Sequence, residues 1–189
     1  VEVWVNCVVT RRNLDRLGEV VEAVRPFPHA ALKLSLVEPR GAALAAFDEL
    51  VPTVTAAAAA VRDALERARA GTPSLRAAHD YLPLCLLPGW EDARGDLRAH
   101  GFWTMAEVGE PDLFPVDERN TVKPDRCGPC LLRGRCPGLF AVYHARHGDA
   151  ELAPLTGRPR SNSFNYVYEG RLAGTPGDGA CPVLALGVH

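Results

Sequence analysis

"VEVWVNCVVTRRNLDRLGEVVEAVRPFPHAALKLSLVEPRG", residues 1–41, decides the fold. Its first nine residues, "VEVWVNCVV", are β-branched and apolar and predict a strand buried on both faces. Asn13 stands where a helix cap belongs. Leu14, Leu17, Val21 and Val24 then recur at helical spacing, which predicts a helix from Leu14 to about Arg25. "LKLSLV", residues 32–37, predicts the second strand, and "EPRG" breaks the chain after it. A second helix is expected from about Asp48 to Ala70, with Pro52 in its first turn, an apolar stripe at Val54, Ala58, Val61, Leu65 and Ala68, and Gly71 at its end. A third strand is expected within "LRAAHDYLPL", residues 75–84. Strand, helix, strand, helix, strand predicts parallel pairing through right-handed crossovers. Three parallel strands cannot close a barrel, and a parallel sheet needs cover on both faces. The region therefore reads as a piece of a larger α/β structure.

The rest of the chain is less regular. Residues 89–120 mix polar and aromatic positions and read as loops with a hairpin or a short helix. A short helix is expected over 138–147, "GLFAVYHARH", and residues 153–189, rich in Gly and Pro, read as a loosely ordered tail. With 189 residues, 47% hydrophobic, the chain has enough apolar residue for a real core. A net charge of −2 and the lack of a basic face with interleaved aromatics give nucleic-acid binding no support. No apolar run approaches the roughly 18 residues that span a bilayer. No secretory signal is visible at the start of the sequence, so the expected compartment is the cytoplasm; Val1 opens directly on strand-like sequence, and an upstream part of the protein is expected to be missing.

Without export, six cysteines read as metal ligands or inert thiols rather than a disulfide framework. Three of them, Cys127, Cys130 and Cys136, fall within "KPDRCGPCLLRGRCPG", residues 123–138, a C-x2-C-x5-C run. So polar and turn-rich a segment cannot bury thiols in a core, and such crowding points to a metal or to thiols paired with each other. Three thiolates are one short of a tetrahedral set, for zinc or for a [4Fe-4S] cluster. Cys85, Cys181, Cys7, His144 and His147 are the candidates for the fourth. Cys7 is expected in the core, Cys181 in the tail, and both histidines on a helix surface. Cys85, expected at the end of the third strand in "PLCLLPG", is the first choice, although a cysteine in an apolar stretch is by default a small buried hydrophobe.

Chemistry on parallel sheets collects at the C-terminal strand ends. There the first strand delivers Asn6, Thr10 and Arg11 and the second delivers Glu38. Plain alternatives exist: Glu38 paired with Arg40 or Arg11, and Asn6 capping a backbone turn.

Taken together, "VNCVVTRRNL", "LVEPRG", "PLCLLPGWED", "CGPCLLRGRCPG" and "YHARHGDAEL" resemble the C-terminal half of a radical S-adenosylmethionine enzyme with a SPASM or twitch-type extension. The resemblance covers most of residues 1–155. It implies the fourth to sixth βα units of a partial (β/α)6 TIM-like barrel over residues 1–96, an auxiliary iron–sulfur extension over 97–152, and the tail beyond. A full SPASM run would place another cysteine at position 140, where Phe140 stands, so the resemblance implies one auxiliary [4Fe-4S] cluster, held by Cys85, Cys127, Cys130 and Cys136. It also implies that Asn6, Thr10 and Glu38 face S-adenosylmethionine or substrate, a peptide or a small molecule. The family's C-x3-C-x2-C loop, which binds the cluster that cleaves S-adenosylmethionine, is absent. The resemblance thus implies a missing N-terminal half-barrel as partner and no cleavage by this chain alone. Arg126, Arg133 and Arg135 would offset the cluster's negative charge, or serve only solubility. The competing reading is a non-catalytic zinc or iron–sulfur module with a structural cysteine loop. A disulfide-bonded secreted domain is disfavoured by the parallel order.

Overall fold

The computed structural model describes residues 3–95, 103–104, 114–115 and 120–156. Three strands, β1 (Val3–Val9), β2 (Ala30–Leu36) and β3 (Ala77–Asp80), form a parallel sheet in the order β1-β2-β3. The expected mixed α/β class and parallel pairing are present. Helix α1 (Leu17–Val24) connects β1 to β2. Two short helices, α2 (Gly41–Ala45) and α3 (Phe47–Leu50), and then the long α4 (Val54–Ala70), connect β2 to β3. Both crossovers lie on one side. Leu17, Val21 and Val24 of α1 and Val54, Ala58, Val61, Leu65 and Ala68 of α4 share a single core with Leu32, Leu34 and Leu36 of β2. Consecutive strands lie side by side with their helices on one face, an arrangement shared by barrels and by each half of a doubly wound sheet.

Several local expectations are corrected, each for a physical reason. β1 is not buried on both faces: Val3, Val5 and Val8 are exposed, and only Val9 is fully buried. It is the edge of the sheet, and among the described residues no further strand pairs with its outer side. The first helix splits into a 3-10 turn at Leu14–Arg16 and α1. Asn13 does not cap it. Its Oδ1 instead accepts from the Thr10 N–H at 2.8 Å and the Thr10 hydroxyl at 3.2 Å, while its Nδ2 donates to the Val8 carbonyl at 2.9 Å. The second helix does not run unbroken from Asp48, because a residue before proline is driven out of the helical region. Val51, ahead of Pro52, is extended at φ −89° and ψ 113°. Helix α4 restarts behind Thr53, whose hydroxyl accepts from the Ala56 N–H at 3.2 Å.

The third strand lies within the expected stretch, as Ala77–Asp80, and stops at Asp80 because Tyr81 adopts the left-handed φ of 60°. Cys85 is therefore not at a strand end; it lies beyond, in a 3-10 turn at Leu84–Leu86. The stretch read as loops with a hairpin or short helix contains a two-residue antiparallel pairing, β4 (Trp103–Thr104) with β5 (Phe114–Pro115). The helix expected from residue 138 is preceded by another such ladder: β7 (Leu139–Phe140) pairs with β6 (Thr121–Val122), and α5 (Ala141–His147) begins only after it. Gly138, at φ +81°, makes that junction, since a side chain there would run into the Val122 carbonyl.

Candidate metal centre

The cysteine loop is a chain of tight turns. The Cys127 N–H donates to the Pro124 carbonyl (2.8 Å), Cys130 to Cys127 (3.1 Å), Arg133 to Cys130 (3.1 Å) and Cys136 to Leu132 (2.8 Å). Each bond returns the backbone on itself, which keeps the three thiols on the inside of the curl. Leu132, buried in an otherwise exposed segment, anchors it.

Cys85, Cys127, Cys130 and Cys136 all line one cleft, together with Pro83 and Leu152. The four cysteines expected to act together are thus brought to one place from two regions of the chain. The remaining candidates are elsewhere. Cys7 lies on the helix side of β1, half-buried against the core, and burial pushes its thiol pKa up. His147 is exposed and stacks on Phe47 with ring centroids 5.7 Å apart, and neither it nor His144 borders the cleft. Cys181 lies outside the described residues.

The cleft has a backbone suited to thiolates. Cys136 Sγ accepts from the Leu84 N–H and the Gly138 N–H, both at 3.4 Å, and Cys85 accepts from the Ala153 N–H. Hydrogen bonds to the sulfurs are one of the means by which proteins stabilise and tune thiolate-bound iron. The Ala153 contact belongs to a strap, residues 151–155, that sequence pattern did not single out. Glu151 fixes one end, and the Leu155 carbonyl accepts from the Leu131 N–H at 2.9 Å at the other. In the protonated state the thiols resist ionisation. Burial, moderated by the Ala153 N–H, and then the neighbouring Cys136, Cys130 and Cys127 push Cys85 up to about 11. Cys127 is also raised, first by burial and then by Cys136 and Cys130, with Arg133 opposing. Thiols that disfavour one another's charge are a set that a cation would bring together.

Of the three arginines expected around the loop, two are engaged elsewhere. Arg126 pairs with Asp149 at 3.5 Å and Arg135 with Asp92 at 2.7 Å. Arg133 and Lys123 line the cleft itself.

Among the described residues no group of three or more His, Cys, Asp or Glu side chains stands ready to hold a metal ion. The cleft encloses about 340 Å³ between atoms, its solvent side included. The donor set suits a thiolate-bound metal.

The three rim residues lie apart from this cleft. Asn6 is exposed on the sheet face opposite the helices and accepts from the Ser35 hydroxyl at 2.7 Å. The Thr10 hydroxyl is spent on Asn13. Glu38 accepts from Asn120 Nδ2 at 2.8 Å and pairs with Arg40 at 3.5 Å. Sequence reading did not find Lys33 and Asp80, which meet at 3.4 Å on that same sheet face. Their signal was a polar residue inside each apolar strand.

The chain matches no protein-family model, no curated protein and no solved structure.

Proposed function

We propose that this chain is the C-terminal half of a radical S-adenosylmethionine enzyme, with Cys85, Cys127, Cys130 and Cys136 holding one auxiliary [4Fe-4S] cluster. The observation that carries the reading is the meeting of Cys85 with the C-x2-C-x5-C loop in one cleft. Thiolates are soft, charged donors suited to iron–sulfur clusters, and the N–H groups on Cys136 and Cys85 serve the same end. The side-by-side order of β1, β2 and β3, with their helices on one face, fits a half-barrel of TIM-like type. The open edge of β1 is where a missing N-terminal half, carrying the S-adenosylmethionine cluster, would continue the sheet. Asn6, Thr10 and Glu38 would then lie on the side of cofactor or substrate, a peptide or a small molecule.

A second reading, a structural zinc in a non-catalytic module, rests on the same four cysteines, which make a complete tetrahedral zinc set. Tetrahedral zinc with bonds of about 2.3 Å needs its four sulfurs only about 3.8 Å apart, closer than a four-iron cube allows.

The test of the first reading is S-adenosylmethionine cleavage under strong reductant. The 189-residue chain alone should form no 5′-deoxyadenosine. The same chain joined to its encoded upstream residues should form it, and those residues should include C-x3-C-x2-C. Turnover by the chain alone, or an upstream sequence without that motif, would overturn the reading.

A further inference from the structure

We propose that Arg62 and Glu151 are positioning residues of the cysteine cleft. Arg62 holds the turn that carries Cys85, Glu151 holds the strap over it, and helix α4 sets the distance between the two. The inference rests on the reading of Cys85 as a metal ligand and applies to iron–sulfur and zinc alike.

Cys85 sits in a single turn, Leu84–Leu86. Its two neighbours are tied in opposite directions. The Leu84 N–H donates to Cys136 Sγ at 3.4 Å, toward the loop, and the Leu86 carbonyl accepts from the Arg62 guanidinium at 2.6 Å, toward α4. The Nε of that guanidinium is buried and finds no acceptor among the described residues. An arginine kept half-buried for one carbonyl marks that turn as worth fixing.

Thr55 precedes Arg62 by two turns of α4, about 10 Å along the axis and on the same side. Its N–H donates to Glu151 Oε2 at 2.9 Å, and the Tyr143 hydroxyl donates to the other oxygen. Both carboxylate oxygens are thus bound where the strap begins. Beyond Glu151, Leu152 and Pro154 line the cleft beside Cys85, and the strap ends on the loop through the Leu131 N–H. The Leu152 N–H is bonded to the Asp149 carbonyl at 3.0 Å, and proline has no N–H. Ala153 is therefore the donor this stretch can offer the Cys85 sulfur, which its N–H reaches. Neither Arg62 nor Glu151 borders the cleft, so each acts on a metal only through the turn or the strap. Supports of this kind, one step behind the ligands, change metal affinity by about 10- to 100-fold.

Cobalt(II) is the probe, since it takes tetrahedral thiolate sites as zinc does and its charge-transfer absorption follows sulfur ligation. It is titrated anaerobically into the reduced 189-residue chain against a competing chelator, with folding followed by urea unfolding. Arg62→Met and Glu151→Ala should each weaken cobalt binding by about tenfold or more. Arg25→Met loosens the far end of α4 and should leave the affinity unchanged although it lowers stability. Arg62→Lys, which keeps a donor for the Leu86 carbonyl, should recover most of the loss. In a Cys85→Ala background, which itself binds cobalt more weakly, neither variant should weaken it further. If a truncated variant fails to fold, Arg62→Gln or Glu151→Asp is read in its place. Undiminished affinity in the folded variants, an equal loss in Arg25→Met, or an equal loss without Cys85 would overturn the proposal and leave Cys85 a ligand. Cobalt bound as tightly by Cys85→Ala would overturn it together with the reading it rests on.

Discussion

Arg25 shows how one side chain can hold two helices. Its guanidinium donates to the Arg67 carbonyl at 2.9 Å, the Ala68 carbonyl at 3.4 Å and the Pro73 carbonyl at 2.8 Å, so it satisfies the C-terminal end of α4 from α1. Gly71 leaves it room, since any side chain there would collide with the guanidinium. Charge-assisted hydrogen bonds contribute about 1.5–3 kcal/mol each when lost from a partly buried site. Arg25→Met is expected to cost roughly 2–3 kcal/mol in urea unfolding; a change within 0.5 kcal/mol would show that the bonds are replaced by water. Glu22 joins the same knot. Its bonds with Arg25 and Arg67 hold its carboxyl at about 2, against 4.5 ordinarily. A depressed carboxylate stabilises above its unfolded value, so this contribution is present above pH 4.5 and lost as pH falls toward 2. Because the group is at the surface, salt should weaken it. Cys85 has the opposite sign: a thiol raised to about 11 stabilises the metal-free fold below its ordinary value of 9 and loses that contribution as pH climbs toward 11. Metal loading must remove that proton, so iron uptake should be faster at pH 8.5 than at pH 6.5. Faster uptake at the lower pH would contradict thiolate ligation.

Between elements, the decisive joint is the N-terminus of α4. Its first N–H groups need acceptors. Thr53 takes one, and the segment after the cysteines takes two more: the Val54 N–H donates to the Tyr143 hydroxyl at 3.0 Å and the Thr55 N–H to Glu151 at 2.9 Å. Tyr143 in turn donates to Glu151. Burial and then that bond push the phenol far above its ordinary value. For Glu151 burial works upward, but the Thr55 and Tyr143 bonds outweigh it and the carboxyl is lowered. Tyr143→Phe would leave the Val54 N–H and one Glu151 oxygen without their partner and should cost about 1–3 kcal/mol. The loss should appear as one cooperative transition reported both by the sheet and by the cysteine loop. Separate transitions would mean that the two regions fold independently.

The helices were legible in sequence because 3.6-residue periodicity survives even where ends shift, as Leu17, Val21 and Val24 show. The cysteine loop was legible because thiol spacing is local. What was not legible depends on contacts distant in sequence. The end of β3 is set by the backbone of Tyr81, the strap by the Ala153 and Leu155 bonds, and the exposure of β1 by the lack of a neighbouring strand among the described residues.

At the scale of the molecule, that open edge matters most. Val3 is 53% and Val8 46% exposed on β1. The Val3 N–H bonds to the His29 carbonyl and the Val9 carbonyl accepts from the Val37 N–H, both toward β2, so alternation turns the Asn6 backbone groups to the outer side. Unpaired edges with apolar residues recruit other strands. Burying several such side chains at about 1.5–3 kcal/mol each would rival a domain's whole stability of roughly 5–15 kcal/mol. The isolated chain should therefore melt broadly or self-associate, and upstream residues should raise its Tm more than iron does. A monodisperse monomer with a sharp melt would show a complete domain. The most direct test of the central claim is anaerobic reconstitution with iron and sulfide of the single Cys→Ala variants, read as metal and sulfide per chain. The account predicts a brown protein with about four irons and four sulfides. Both should fall sharply in the variants at Cys85, Cys127, Cys130 and Cys136 and remain in the Cys7 variant. Full iron loading in Cys85→Ala, or a colourless protein holding zinc, would contradict it.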